Sequence, residues 1–234
     1  DVVAKMRGIL RQRKIGHTGT LDPDAEGVLP VCLGSATKLC DMMTDKSKEY
    51  QAVLLLGVST DTQDITGKIM EERSVECDEE EIRAVISSFI GQYMQIPPMY
   101  SALKVNGQKL VDLARAGIEI ERKARPVEIF NIQIQEINLP RVRFLVHCSK
   151  GTYIRTLCAD IGEKLGCLGT MESLIRTRVA SFTLENAISL DQLEKARDAD
   201  EVEKYIIHTE KYFIDLPLAV IKEEYQKYAD NGNK

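Results

Sequence analysis

Apolar residues recur at helical spacing in four segments of the chain. From Asp1 to Lys14, Val2, Val3, Met6, Ile9 and Leu10 fall on one face. From Asp78 to Ile90 the repeat is Ile82, Val85, Ile86, Phe89 and Ile90. Asp78 can cap this helix, Glu81 completes a capping box and Gly91 follows as a stop. From Ile154 to Leu165, Ile154, Leu157, Cys158, Ile161 and Leu165 point inward, and Gly166 ends the run. Ser189 to Ala196 reads as a capped helix, with Asp200 to His208 as a candidate after it. Strand signals lie between. Tyr50 to Val58 is strongly apolar, and the turn-rich run Ser59 to Gly67 leads into another short strand. Val127–Ile137 and Arg141–Cys148, joined by a short Pro-containing turn, predict an antiparallel hairpin, and Phe182–Leu184 a further strand. A glycine-punctuated loop, Lys14 to Pro30, precedes a mixed apolar stretch to Leu39. Ile96 to Arg125 is a Pro-started basic segment with one short helix, Gln108–Ala116. Hairpins interspersed with helices, rather than strict βαβ alternation, predict an α+β fold around a mixed or antiparallel sheet.

At 234 residues, with 44% hydrophobic and 29% charged positions, the chain can bury its own core in one large domain. Its longest unbroken apolar run, Ala52–Leu56, is too short to span a membrane, and no signal peptide opens it. The chain begins at Asp1 inside a helical pattern, so an incomplete N-terminus is expected. None of the six cysteines forms a C-x-x-C pair, which predicts reduced thiols and a cytoplasmic protein. His17, His147 and His208 lack zinc-ligand spacing.

The net charge of −5 argues at first against a polyanionic partner. Its distribution changes that reading. The segment from Glu185 onward carries the whole −5, and Glu71–Glu81 alone carries −6. Basic residues cluster at Lys5, Arg7, Arg11, Arg13 and Lys14, and again at Arg141, Arg143, Lys150 and Arg155. Local patches rather than global charge set attraction to phosphates.

The segment Gly16-His17-Thr18-Gly19-Thr20-Leu21-Asp22-Pro23-Asp24-Ala25-Glu26-Gly27-Val28-Leu29-Pro30 is the most informative. Its glycines and prolines make an irregular loop of fixed shape, bearing a histidine and three carboxylates. By pattern alone it reads equally as a rigid mount for one carboxylate or as an Asx-capped turn.

This loop resembles the signature of the TruB family of tRNA pseudouridine synthases, and further motifs follow in the family's order. Lys48-Glu49-Tyr50 before Leu56-Gly57 resembles its K-x-Y strand. Thr60-Asp61-Thr62 with Asp64 and Gly67 resembles its T-D-T-x-D-x-x-G turn. Ile96-Pro97-Pro98-Met99-Tyr100-Ser101-Ala102-Leu103-Lys104 resembles its RNA-gripping insertion. Gly151-Thr152-Tyr153-Ile154-Arg155 and Leu174-Ile175-Arg176 resemble two more. Together they span residues 14 to about 182.

The resemblance implies a pseudouridine-synthase α+β core: a mixed, largely antiparallel sheet, a central catalytic cleft and a thumb-like insertion at about 96–125. The catalytic domain would be residues 1–213. The implied reaction converts uridine 55 of the tRNA T-loop to pseudouridine without cofactor or metal. The expected assembly is a monomer acting on the T-arm, away from any membrane. Flipping the base out of a folded loop costs a few kcal/mol. Tyr50 resembles the tyrosine that stacks on the flipped uracil, and His17 the residue that fills the vacated space. Asp22 resembles the essential aspartate, able to attack C1′ or C6 or to take the C2′ proton. Arg155 would pair with Asp22, holding it ionised and aimed. A cation near a helix start is unfavourable by dipole logic, and a carboxylate partner would explain it. Tyr153 is the implied proton-transfer group near C5. Leu174 would wall the ring, and Lys104 and Arg176 would bind RNA. The Asn106-Gly107 turn predicts a mobile tip on the insertion.

Two departures stand out. The family's opening strand, with its Lys-Pro element, precedes the first residue here. Residues 214–234 are too few for the RNA-binding PUA domain that many members carry, so they are expected to be its remnant or a subfamily ending. Three other functions are open to the same residues. They are a guide-RNA-dependent synthase of the same family, a non-catalytic tRNA-folding chaperone, and a metal-dependent phosphoesterase using Asp22, Asp24 and Glu26.

Overall fold

The computed structural model describes residues 1–213, 216–217 and 220–231. Of the expected C-terminal remnant, residues 214, 215, 218, 219 and 232–234 lie outside the described residues. Helix α1 covers Val2–Leu10, capped by the Asp1 side chain. Strand β1 is Lys48–Leu56, helix α2 Glu79–Ser87, and strand β2 Gly91–Gln95. The long hairpin strands β3 and β4 are Arg125–Asn138 and Arg141–Cys148. Helix α3 spans Ile154–Lys164, strand β5 Gly169–Val179, strand β6 Phe182–Thr183, and helix α4 Leu190–Asp198.

The main sheet has the order β6-β5-β1-β4-β3-β2, every neighbour antiparallel. A seventh strand, Glu26–Gly27, adds in parallel to Ile175–Arg176 of β5. The sheet is therefore mixed and largely antiparallel, as expected. Alternate residues of β1 (Ala52, Leu54, Leu56) and β4 (Val142, Phe144, Val146, Cys148) face one core. Helices α2 and α3 cover that face through Ile82 and Ile86 and through Leu157, Cys158 and Ile161. The period-2 and period-3.6 patterns meet there, each buried side chain contributing about 1.5–3 kcal/mol. Helix α3 lies close on the start of β5 because residue 162 is glycine. A Cβ there would stand 2.1 Å from the Gly169 nitrogen.

The capping box of α2 forms as read from the sequence: Asp78 accepts from the Glu81 N–H, and Glu81 from the Asp78 N–H. Other expectations shift. The helix expected at Gln108–Ala116 shortens to Leu110–Arg115, because Gln108–Lys109 pair with Lys104–Val105 across the Asn106-Gly107 turn. Asp200–His208 forms only a 3₁₀ turn at Val202–Tyr205. Strand β5, next to the sheet's centre, has no counterpart in the sequence reading. Glu172, Arg176 and Arg178 interrupt its apolar pattern.

Candidate active site

The loop that carries Asp22 starts from a short strand, Ile15–His17, and returns through a second, Val31–Leu33, paired with it. Thr18 N–H donates to Pro30 O at 3.2 Å and closes the loop's neck. Its return limb is fixed to β5. Glu26–Gly27 form the parallel bridge, and Val28 N–H donates to Arg176 O at 2.8 Å. Gly27 has φ +111°, and a Cβ there would meet Arg176 O at 2.2 Å, so glycine is required on both counts. The Arg176 guanidinium completes the attachment. It donates to Val28 O at 2.7 Å, to Gly19 O at 3.3 Å and to Thr20 O at 3.5 Å. Arg176, expected on the RNA-binding surface, is 2% exposed, and its donors face loop carbonyls.

The loop presents Asp22 to Arg155, the second residue of α3. Arg155 Nε reaches Asp22 Oδ2 at 2.9 Å and Nη2 reaches Oδ1 at 3.1 Å, a two-point contact. The Arg155 side chain is 5% exposed, while that of Asp22 keeps 38%, so the carboxylate faces outward from a buried guanidinium. Arg155 also donates to Thr62 O (3.1 Å), Asp64 Oδ2 (3.4 Å) and Tyr100 O (2.9 Å). The Thr60–Gly67 turn is itself knotted around Asp64, whose Oδ1 accepts from Thr62 Oγ1 and from Thr66 N and Oγ1. Asp64, Thr62 and Tyr100 thus join the cluster although no role was read for them, even though all three stood in the quoted motifs.

Burial pushes the Asp22 carboxyl above its ordinary 3.8. Arg155 pulls it down, Asp64 and Asp24 push it up, and the net shift is upward. The guanidinium restrains this shift rather than reversing it. Such a carboxyl is a better base or nucleophile once ionised than an ordinary aspartate.

Tyr50 of β1 sits opposite Arg176 in register, two residues along from Ala52, which faces Leu174. The three therefore share one sheet face with Leu174, which is 7% exposed and part of the core cluster. Burial pushes the Tyr50 phenol up to about 12, so it stays a neutral ring. His17 is exposed at the loop's start, its Nδ1 accepting from Gly19 N–H at 3.3 Å. Tyr153, half-buried, precedes α3. Lys104 lies on the insertion hairpin, exposed and opposite Lys109. Like charges facing each other favour an anionic partner.

The basic run from Arg141 to Arg155 turns out neutralised. Arg141 pairs with Glu172, Arg143 with Glu136 and Lys150 with Asp45. In the insertion, Lys104, Lys109, Arg115, Lys123 and Arg125 have no ion-pair partner among the described residues. Asp24 and Glu26 are exposed, and no group of three His, Cys, Asp or Glu side chains converges as a metal site among the described residues. No helix among them is long and apolar enough to cross a membrane.

Residues 7–154 match the TruB family pseudouridylate synthase N-terminal domain, and residues 155–213 the tRNA pseudouridylate synthase B C-terminal domain. The whole chain aligns at 54% identity with tRNA pseudouridine synthase B of Lachnoclostridium phytofermentans, covering 79% of that protein. It aligns at 49% with the same enzyme of Alkaliphilus oremlandii, covering 77%. Among solved structures, the Cbf5-Nop10-Gar1 complex superposes with a TM-score of 0.68 at 33% identity over 87% of this chain. An H/ACA RNP bound to a substrate RNA containing 2′-deoxyuridine does so at 0.64 and 30%. The chain spans about half the length of those two chains, 53% and 52%. With both domain matches in sequence order and full-length relatives at this identity, the chain belongs to the TruB family of pseudouridylate synthases.

Proposed function

We propose that the protein isomerises uridine to pseudouridine in tRNA, at position 55 of the T-loop, with Asp22 as the reacting carboxylate. The observation that carries this reading is the two-point Asp22–Arg155 contact, in which the guanidinium is buried and the carboxylate is left open. The N1–C1′ bond breaks, the uracil turns, and a C5–C1′ bond forms. The C5 proton leaves and N1 takes one up, so no redox partner is needed. Asp22 serves attack at C1′ or C6, or removal of the C2′ proton, and each route needs an ionised oxygen fixed in direction. Tyr50 stacks on the flipped base, a contact worth about 1–3 kcal/mol. Tyr153 handles the proton at C5, His17 fills the space left in the RNA, and Leu174 backs the ring. Residues 96–125, with Lys104 and its unpaired cations, grip the T-arm phosphates.

The test is a T-arm stem-loop tritiated at uridine C5, incubated with the protein in EDTA and without guide RNA. Label release that disappears in Asp22→Asn while binding survives supports the reading. Release that requires a guide RNA overturns it in favour of the guided enzyme. No release with T-arm binding intact overturns it in favour of the chaperone, and no release with EDTA-sensitive cleavage of the RNA in favour of the phosphoesterase. Release that survives Asp22→Asn overturns the role given to Asp22.

A further inference from the structure

We infer that Gln95 is a positioning residue that sets the Tyr153–Arg155 turn and ties it to the root of the 96–125 insertion. The inference rests on the role proposed above for Asp22 and Arg155.

Gln95 ends β2 and is 1% exposed. Its amide is fully committed. Oε1 accepts from Tyr153 N–H at 2.8 Å, while Nε2 donates to Tyr153 O at 3.0 Å and to the Tyr93 hydroxyl. The side chain thus mimics a neighbouring strand residue, gripping both polar groups of one peptide position 58 residues away. Tyr153 needs that grip, because it stands in extended geometry (φ −98°, ψ 111°) before α3 and makes no side-chain cap of its own. Arg155 is two residues on, so any rotation of this turn swings its guanidinium relative to Asp22.

A second attachment starts from the same root. The Tyr100 carbonyl accepts from Arg155 Nη2 at 2.9 Å. Gln95 and Tyr100 bracket Ile96-Pro97-Pro98-Met99, of which Pro97, Pro98 and Met99 are buried and the prolines fix φ. The far end of the insertion returns to this point, Arg122 Nη1 donating to Pro97 O at 3.2 Å. Force on the insertion from docked RNA therefore reaches Arg155 through two short, stiff connections. A glutamine that served only packing would not need its acceptor and one donor aimed at the residue before the arginine's helix, with its other donor held by the Tyr93 hydroxyl.

The experiment compares wild type, Gln95→Met and Gln95→Glu. It reads single-turnover tritium release across pH, T-arm affinity, and folding by circular dichroism. Gln95→Met removes every hydrogen bond at similar volume; Gln95→Glu keeps the acceptor for Tyr153 N–H. The expected order of rates is wild type, then Glu, then Met, with Met at least 10-fold slow and T-arm Kd within threefold throughout. The acid limb of the Met variant moves to higher pH, since a displaced guanidinium no longer offsets burial of Asp22. A folded variant with a rate within twofold of wild type, or a rate loss matched by a loss of affinity with an unmoved acid limb, overturns the inference. If Gln95→Met does not fold, Gln95→Glu decides on the same readouts. A wild-type protein that releases no label refutes the proposed function instead.

Discussion

The Nε–H of Arg176 donates to the Val28 carbonyl at 2.7 Å, joining residues 148 apart in sequence and fastening the Asp22 loop to β5. This guanidinium has no carboxylate partner among the described residues and is held by loop carbonyls. Arg176→Met is therefore expected to lower label release about 10- to 100-fold through misplacement of Asp22. Its T-arm affinity should stay within threefold of wild type. A large affinity loss with an unchanged single-turnover rate would return Arg176 to the RNA surface.

Asp22→Asn preserves shape but removes the ionisable oxygen, and label release should fall below detection with the fold intact. Arg155→Lys keeps the charge but cannot make the two-point contact, and is expected to lose about 100-fold in rate. Equal rates for Arg155→Lys and wild type would mean that charge alone, not aim, is required.

The pH profile follows from the raised Asp22 pKa. The reacting form is the ionised one, so activity is full at high pH and falls as pH drops through a pKa above 3.8. In Arg155→Met the strongest opposing influence is gone, and the acid limb should move further up. A limb at or below 3.8 in the wild-type single-turnover rate contradicts this assignment.

Gly27→Ala would set a Cβ 2.2 Å from Arg176 O at a backbone angle of φ +111°. Denaturant unfolding should show a loss of about 2–3 kcal/mol, accompanied by lost activity. A neutral result would mean that the loop does not need its parallel bridge to β5.

Asp160 on α3 is raised by burial from 3.8 to about 6, and it lies near Tyr93 and Cys158. Because its folded pKa lies above its unfolded one, its contribution is fully present below pH 3.8 and is lost as pH rises through about 6. Asp160→Asn should flatten this decline and stabilise the protein at pH 8 by about 1–2 kcal/mol, a figure reduced for partial exposure. Parallel stability–pH curves for the two proteins would show that the burial is relieved by solvent.

The motif resemblance made one half of the site readable, and residue type agreed with it. A carboxylate in a Gly/Pro loop and an arginine at an unfavourable helix start each lacked a partner, and each supplied the other's. Asp64 stood in a quoted turn, yet nothing in local spacing says that a turn at residue 64 meets a helix at 155. Gln95 carries no charge and gives no local signal, since its role lies in main-chain bonding. The burial of Arg176 was not legible, because exposure is the usual state of arginine and only the strand pairing that covers it reveals otherwise. Strand β5 was missed for the same reason, as buried or paired charges break the alternation that marks a strand.

Asp22 and Arg155 meet across 133 residues. A ribosome must therefore deliver most of the chain before the two can touch, and the long-range pairing of β1 with β5 must already be in place. Competence arrives in one step, with completion of the fold.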